Sequence, residues 1–250
     1  MALVTGGGRG IGRAISLGLA EDGADVAVNY RKDREAAERT VAEIEALGRR
    51  AVAYQASVDD ADANAAMVEA VLADFGGIDI LVNNGGIASR GRAVADTDAA
   101  EVERVVRTHA LGPHFLSRLV LPSMRTRGRG DIVMVSSVAT SKLAANGAPY
   151  NMGKAALEAL AMTLAKEERP YGIHVNVVAP GLVVTDMGDR LARALRGVER
   201  ATELDAESPF GRVCRPEDVA RVVRWLVSEG AGYVTGQRVE VDGGGEIVSY

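Results

Sequence analysis

The stretch TGGGRGIG at residues 5–12 decides how this chain folds. It closes a short apolar run at residues 2–5 and opens an amphipathic segment at residues 10–22. Glycines let the backbone turn tightly and approach a bound group without a Cβ in the way. The helix that follows offers free N–H groups and a positive dipole end, which suit a phosphate. A tight structural turn is the alternative, because the G-x-G-x-x-G spacing is absent, but the strand before it and the helix after it favour a nucleotide.

Short β-branched runs alternate with longer amphipathic runs along the whole chain. The predicted strands are Ala2–Thr5, Asp25–Tyr30, Ala51–Gln55, Ile78–Asn83, Asp131–Ser136, His174–Val178 and Arg238–Val241. The predicted helices are Gly10–Asp22, Arg34–Leu47, Ala61–Phe75, Asp98–Arg127, Pro149–Glu168 and Pro216–Ser228. This alternation requires crossover connections, and almost wholly apolar strands are typical of strands buried on both faces. We therefore predict one α/β domain, residues 1–250, with a doubly wound, seven-stranded parallel sheet and helices on both faces.

Composition excludes several classes of protein. The 250 residues are 47% hydrophobic and 25% charged, and no apolar run approaches the ~20 residues that a membrane-spanning helix needs. The net charge of −5 argues against nucleic acid as a partner. One cysteine cannot form an internal disulfide, and three histidines without ligand spacing argue against a metal site. No charged-then-apolar leader precedes the first strand, so we expect a cytoplasmic protein.

The segment Asp186–Ser208 breaks the alternation, because it is long and strongly charged and lies between a strand and the last helix. It is either a solvated surface helix or a mobile lid over a site. Ligands in open α/β sheets lie beyond the carboxyl ends of the strands. We therefore expect a substrate lid at residues 186–208.

Tyr150 is the one tyrosine of six that has a lysine four residues later, Lys154. That spacing places both side chains on one helix face. The unperturbed pKa of tyrosine is ~10, but a neighbouring ammonium favours the phenolate and lowers it. The pair then becomes a usable acid and base for interconverting a ketone and an alcohol. An incidental surface pair is the alternative, and the rarity of lysine in this chain weighs against it.

These motifs together resemble the short-chain dehydrogenase/reductase family over residues 2–244. The motifs are TGxxxGIG at residues 5–12, NNGG at residues 83–86, Ser137, Tyr150-x-x-x-Lys154, and Pro180-Gly181 with Thr185. The resemblance implies a single-domain Rossmann fold and an enzyme that passes a hydride between a nicotinamide cofactor and a carbon atom. It implies that Ser137 holds the substrate oxygen, that Tyr150 exchanges the proton, and that Lys154 tunes Tyr150 and binds the nicotinamide ribose. Ser136 is disfavoured as the catalytic serine, because strand alternation turns it away.

The resemblance also implies the residues that bind the cofactor. They are Thr5, Gly6, Gly8, Arg9, Gly10, Ile11, Gly12, Tyr30, Arg31, Ser57, Val58, Asn83, Gly85, Tyr150, Lys154, Pro180, Gly181, Val183 and Thr185. Tyr30 takes the place of the acid that would bind a ribose 2′-hydroxyl, and Arg31 follows it. Arg9 and Arg31 suit a 2′-phosphate, which arginine grips bidentately. We therefore expect NADP(H) rather than NAD(H), although Arg31 and Lys32 in a solvated loop are the alternative.

His109 stands where the family usually carries a catalytic asparagine. In the family that residue acts chiefly through its backbone carbonyl, which holds a water in a proton relay. His109 either keeps that role, adds an ionisable group with a pKa of ~6.5, or is a buried histidine without a catalytic part. The first alternative is favoured.

The substrate is the least determined feature. The sequence motifs most resemble those of 3-oxoacyl-carrier-protein reductases. An acidic carrier protein that docks on the enzyme would need basic surface near the site. Arg125, Arg127 and Arg129 are candidates for that surface, but Tyr171 occupies a place that is often basic in such reductases. A carrier protein is therefore a doubtful partner, and a small carbonyl or alcohol substrate is expected. Lys142 is a candidate contact for an anionic substrate group, although exposure alone is the commoner explanation.

The family resemblance implies a homotetramer. The expected activity is an NADP(H)-dependent oxidoreductase that interconverts a ketone, for example a 3-oxoacyl group, and a secondary alcohol. The alternatives are an NAD-linked alcohol or polyol dehydrogenase, an epimerase with a transient ketone, and a non-catalytic dinucleotide-binding regulator.

Overall fold

Seven parallel strands form the central sheet of the computed structural model, which describes residues 1–245. The strands are β1 (Ala2–Val4), β2 (Val26–Tyr30), β3 (Ala51–Gln55), β4 (Ile80–Asn83), β5 (Gly130–Val135), β6 (Ile173–Pro180) and β7 (Arg238–Val241). They lie in the order β3-β2-β1-β4-β5-β6-β7, and every neighbouring pair is parallel. The predicted seven-stranded doubly wound sheet is confirmed. The order reverses between β1 and β4, which is where α/β sheets bind ligands.

Helices cover both faces of this sheet. They are α1 (Gly10–Glu21), α2 (Arg34–Ala46), α3 (Ala61–Phe75), α4 (Ala99–Val106), α5 (Gly112–Met124), α6 (Ala139–Lys142), α7 (Ala148–Glu168), α8 (Asp186–Arg196) and α9 (Pro216–Leu226). Within residues 1–245, none of them is long and apolar enough to cross a bilayer.

Successive strand residues supply two separate cores. Leu3 and Leu81 pack with α3, α5 and α7 on one face, while Val4 and Val82 pack with α1, α2 and α9 on the other. The central strands are mostly apolar because each face is covered, which is the pattern that the sequence showed.

The segment at residues 186–208 folds as a charged helix with a small core of its own. Thr185 caps α8 by accepting a hydrogen bond from the Gly188 N–H at 3.0 Å. Ala192, Ala201 and Leu204 are buried together beneath it. The surface-helix interpretation describes residues 186–196, and movement of the segment as a lid stays a prediction.

The helix predicted near Asp98–Arg127 is confirmed as a helical stretch from Ala99 to Met124, with a π turn inside it that the sequence did not indicate. A π-helical turn at Arg107–Leu111 separates α4 from α5 and carries His109. A π turn inserts an extra residue, and such turns are frequent at functional sites. Close packing accompanies it, because an added Cβ at Gly112 would lie 2.5 Å from the Val58 carbonyl oxygen. Hydrophobic periodicity does not report such contacts, since they join residues far apart in the chain.

Two buried helical glycines test how firmly the π turn is packed. An added Cβ would lie 2.9 Å from the His109 Cβ at Gly153 and 2.8 Å from the Arg224 Cδ at Gly18. We expect Gly153→Ala to lower the free energy of unfolding by about 1–3 kcal/mol, because the His109 Cβ is fixed to the backbone. Gly18→Ala is the matched control and should change it by less than ~1 kcal/mol, because the Arg224 side chain can move and alanine favours helix. Urea unfolding measures the free energy of unfolding of both variants. Equal decreases in Gly153→Ala and Gly18→Ala would contradict firm packing of the π turn.

Candidate active site

The glycine turn at residues 5–12 lies at the carboxyl end of β1, beside the end of β4. Gly6 and Gly10 have φ values of +60° and +52°, a region that side chains disfavour. An added Cβ at Gly12 would lie 2.1 Å from the Gly6 carbonyl oxygen, so only glycine fits there. The N-cap of α1, Arg9, makes no side-chain capping hydrogen bond. The N-terminus of α1 therefore presents its amides without a side-chain acceptor from the N-cap.

Two asparagines that sequence reasoning did not select hold this turn in place. Asn29 accepts a hydrogen bond from the Gly6 N–H at 3.2 Å and donates to the Ala56 carbonyl at 3.0 Å. Asn84 donates to the Thr5 carbonyl at 2.8 Å. The expected contact residue Asn83 is buried instead, with its amide directed at the Met134 sulfur at 3.2 Å. The NNGG motif was the signal that could have indicated Asn84.

Thr5 ties the glycine turn to the loop after β4. Its hydroxyl oxygen accepts hydrogen bonds from the N–H groups of Asn84 and Gly85, at 2.9 and 2.8 Å. Thr5 itself is buried, and an added Cβ at Gly85 would come within 3.2 Å of its hydroxyl. Gly85 in place of the family's usual alanine thus leaves space against Thr5.

Basic residues lie near the end of β2, where the adenosine part of the cofactor is expected to bind. Tyr30 ends β2 and is half-buried, and Arg31 beyond it is exposed. Within residues 1–245, the Arg31 guanidinium has no carboxylate partner, whereas exposed Arg9 lies 3.6 Å from the Asp186 carboxylate. The Ser57 hydroxyl donates a hydrogen bond to Asp59.

The segment after β6 reaches the glycine turn from the opposite half of the sheet. β6 ends at Pro180, and Val183 pairs in a parallel bridge with Cys214. An added Cβ at Gly10 would lie 3.2 Å from the Thr185 methyl group. Of the expected contacts in this segment, Thr185 therefore adjoins the glycine turn.

Helix α7 brings Tyr150 and Lys154 to the end of β5, where Ser137 lies. The Lys154 ammonium is buried, donates to the Val135 carbonyl at 2.6 Å, and lies 5.8 Å from the centre of the Tyr150 ring. Burial lowers the pKa of Lys154 to about 8, while the Glu158 carboxylate acts to raise it. The Ser137 hydroxyl accepts from the Ala139 N–H at 3.2 Å. The Ser136 hydroxyl instead donates to Glu158 at 2.5 Å, so it is turned away as strand alternation predicts.

His109 lies beside this group and is 1% exposed. Its ring meets the Tyr150 ring edge-on, with centroids 5.1 Å apart. Its Nε2 lies 2.7 Å from the Ile87 carbonyl oxygen, so we assign the proton to Nε2. Its Nδ1 is buried and has no hydrogen-bond partner within the described part of the chain. Gly86 leaves room for the ring, because an added Cβ there would lie 2.7 Å from the His109 Cε1.

The imidazole of His109 is neutral near pH 7. Burial and, to a smaller extent, the Lys154 charge lower the pKa of His109, and the Ile87 hydrogen bond acts to raise it. The resulting pKa is about 3. This disfavours the alternative in which His109 adds a group that titrates near pH 6.5.

The basic surface expected for carrier docking is neutralised within the chain. Arg125 binds the Glu168 carboxylate through two hydrogen bonds, at 2.6 and 2.9 Å, and stacks over Tyr171 at 4.4 Å. The other two arginines are also paired: Arg127 with Asp79, and Arg129 with Asp131 at 3.1 Å. Arg125, Arg127 and Arg129 are thus each paired with a carboxylate, and their service as a basic docking surface stays a prediction.

Two further residues behind Ser137 were missed by sequence reasoning. Glu158 follows Lys154 by one more four-residue step on α7, and Arg238 on β7 lies 3.0 Å from its carboxylate. The repeated spacing could have indicated Glu158, whereas nothing local indicates Arg238. Lys142, the candidate contact for an anionic substrate group, is half-buried at the end of α6.

Within residues 1–245, no cluster of three or more histidine, cysteine, aspartate or glutamate side chains could hold a metal ion.

Comparisons with known proteins find relatives that match almost the whole chain. The family model described as Enoyl-(Acyl carrier protein) reductase matches residues 6–246. The 3-oxoacyl-[acyl-carrier-protein] reductase FabG of Staphylococcus aureus is 40% identical over 243 residues, covering 97% of this chain and 96% of the relative. Versicolorin reductase 1 of Aspergillus parasiticus is 40% identical over 251 residues, covering 98% and 95%.

A solved structure matches the whole fold. The crystal structure of NAD+-bound xylitol dehydrogenase superimposes with a TM-score of 0.89 at 31% identity, covering 97% of each chain. Together, the glycine turn, the grouping of Ser137 with Tyr150 and Lys154, and these relatives identify the chain as an oxidoreductase of the short-chain dehydrogenase/reductase family, acting between CH–OH and C=O groups.

Proposed function

We propose that this protein is an NADP(H)-dependent enzyme that interconverts a ketone and a secondary alcohol. The observation that supports this most directly is the grouping of Tyr150, Lys154 and Ser137 at the edge of the sheet where the glycine turn also lies. An NAD-linked alcohol or polyol dehydrogenase is the second candidate, because the NAD+-bound xylitol dehydrogenase shares the fold.

The residues present fit a dinucleotide. The glycine turn has no Cβ to fill the space before α1, and α1 has no side-chain cap on its first amides. Those amides and the helix dipole suit the pyrophosphate, with Gly8, Arg9, Gly10, Ile11 and Gly12 as its contacts. When bound, the cofactor supplies or accepts the hydride.

Ser137, Tyr150 and Lys154 each have a different role in moving the proton. The Ser137 hydroxyl donates a hydrogen bond to the substrate oxygen and holds it beside the Tyr150 phenol. The phenol gives its proton to that oxygen in reduction and becomes the phenolate, and in oxidation the phenolate takes the proton back from the alcohol. The Lys154 ammonium favours the phenolate, and burial lowers its own pKa to about 8.

His109 keeps the backbone role of the family's asparagine in this proposal. Its side chain is committed to the Ile87 carbonyl and stays neutral, so it neither donates nor accepts a proton during turnover. The imidazole instead fills the space behind Tyr150.

The phosphate-binding side favours NADP(H). Tyr30 replaces the acid that would repel a 2′-phosphate, and Arg31 carries a guanidinium without a carboxylate partner in residues 1–245. Arg9 is held only by a long, solvent-exposed contact with Asp186, which contributes little to stability. Both guanidinium groups are therefore accessible to a phosphate.

A small free carbonyl compound is the proposed substrate class. The pairing of Arg125, Arg127 and Arg129 with carboxylates removes the charge that would attract an acidic carrier protein. Residues 186–208 border the Thr185 end of the site, and we propose that they cover the substrate. A homotetramer and a cytoplasmic location stay predictions from the sequence.

The Tyr150→Phe variant tests the proposed chemistry. Turnover of a ketone panel should fall by roughly 10²–10⁴-fold, because the acid and base is removed. The panel comprises a 3-oxoacyl thioester, diacetyl and a sugar ketone, with NADPH oxidation as the readout. NADPH binding, followed by fluorescence, should persist in the variant.

The control variant is Tyr171→Phe, which alters an exposed tyrosine and should keep turnover. Undiminished turnover in Tyr150→Phe would contradict the assignment, and cofactor binding without any turnover in the wild type would favour a regulator.

The cofactor assignment is tested by comparing NADPH with NADH. Direct binding should favour NADPH at least tenfold, ~1.4 kcal/mol, and Arg31→Ala should reduce that ratio. Arg34→Ala is the control, because Arg34 lies three positions after Arg31 and is paired with Glu38, four positions further along α2. A preference for NADH would support the NAD-linked alternative.

The His109→Asn variant tests whether the imidazole is neutral. The pKa of His109 is about 3 in the folded protein and ~6.5 when unfolded, so the unfolded chain takes up the proton first and stability falls as pH drops below 6.5. Between pH 7 and pH 5 the wild type should lose about 2 kcal/mol more than the variant in urea unfolding. The variant should keep turnover. Equal losses would contradict the neutral imidazole, and loss of turnover would indicate a side-chain role.

A further inference from the structure

Helix α7 carries a third polar side chain on its reactive face. Tyr150, Lys154 and Glu158 follow one another at four-residue intervals, so all three point toward the end of β5. The Glu158 Oε1 accepts three hydrogen bonds: from the Ser136 hydroxyl at 2.5 Å, the Thr140 hydroxyl at 2.8 Å and the Arg238 Nε at 3.0 Å. One carboxylate oxygen thus fastens the residues on both sides of Ser137 to the helix that carries Tyr150.

Arg238 completes the connection from β7. Its Nη2 donates to the Thr140 hydroxyl at 2.8 Å and to the carbonyl oxygen of Ser137 itself at 3.3 Å. Its Nη1 donates to Glu240 at 2.5 Å, and Glu240 accepts from the Ser141 hydroxyl at 2.8 Å. The guanidinium therefore contacts the backbone of the residue that is proposed to hold the substrate oxygen.

The same pair governs the charge near Lys154. Glu158 acts to raise the pKa of Lys154 against the effect of burial. The other ionisable groups around these side chains are Tyr150 on α7, neutral His109 on the π turn, Arg238 and Glu240 on β7, and Lys142 on α6, which acts on Glu240. Because the Arg238 guanidinium lies against Glu158, it partly offsets the negative charge that Glu158 presents to Lys154.

We propose that Glu158 and Arg238 form a positioning pair, which holds the Ser137 segment against α7 and balances the charge at Tyr150 and Lys154. The proposal rests on the proposed acid and base role of Tyr150 and Lys154. Neither member of the pair is proposed to touch the substrate or the cofactor.

Removing one member should move the pH profile in a direction set by the charge that remains. In Glu158→Gln the Arg238 cation is left without this partner, and positive charge lowers the apparent pKa values of the Tyr150–Lys154 pair. In Arg238→Gln the Glu158 carboxylate is left, and negative charge raises them. Loss of packing alone would not produce shifts of opposite sign.

The experiment measures kcat against pH for alcohol oxidation, using the alcohol of the best ketone in the panel and saturating cofactor. We expect the apparent pKa to shift down in Glu158→Gln and up in Arg238→Gln, by roughly half a pH unit or more. Both variants should lose about tenfold in kcat, because Ser137 is held less firmly. The double variant should return the apparent pKa to the wild-type value while kcat stays low. Arg238→Lys keeps the positive charge but loses the guanidinium, which donates several hydrogen bonds at once. It should therefore show the wild-type pH profile with reduced kcat. This variant replaces Arg238→Gln if Arg238→Gln does not fold.

Glu168→Gln is the matched control, because Glu168 also lies on α7 and is also paired with an arginine, Arg125. It should lower thermal stability and leave the pH profile unchanged. An unchanged pH profile in Glu158→Gln, a shifted profile in Arg238→Lys, or shifts of the same sign in the two glutamine variants would overturn the proposal while Tyr150→Phe is inactive. An active Tyr150→Phe would overturn the proposed function and this proposal with it.

Discussion

The Thr5 hydroxyl is the contact on which the rest of the site depends. It lies buried where the sheet order reverses, and it binds the backbone of Val82, Asn84 and Gly85. Through it, the glycine turn after β1 and the loop after β4 become one rigid surface. That surface can be built only with glycine at position 12, because the Gly6 carbonyl occupies the place of a Cβ. The shape of the proposed dinucleotide site is thus a consequence of backbone packing.

Helix α7 performs the complementary task on the other half of the sheet. Its buried face packs on the sheet core, and its polar stripe meets the end of β5. Lys154 is buried and bound to the Val135 carbonyl, so its ammonium is held in one place next to the Tyr150 ring. The cost of burying that cation appears as the lowered pKa, and it brings Lys154 into the range where acid and base chemistry operates.

Charge in this protein is largely paired inside the chain. Arg125, Arg127 and Arg129 each have a carboxylate partner, and so does Arg238. Arg9 and Arg31 are among the arginines that stay exposed, and they lie at the glycine turn and after β2, where the phosphate contacts are proposed. Position at the sheet edge, in addition to exposure, therefore makes these two arginines candidates for binding a ligand.

The sequence by itself determined the elements, their parallel arrangement and the grouping of the main motifs. Strand and helix periodicity is local, and parallel strands bring their carboxyl ends to one edge, so Ser137, Tyr150 and the glycine turn had to converge. The tertiary structure alone decided the π turn at His109, the support of the glycine turn by Asn29 and Asn84, and the pairing of the arginines. Glu158 and Arg238 are 80 positions apart, and their contact depends on where α7 and β7 pack. Contacts of that kind follow from three-dimensional packing, which no local pattern of residues encodes.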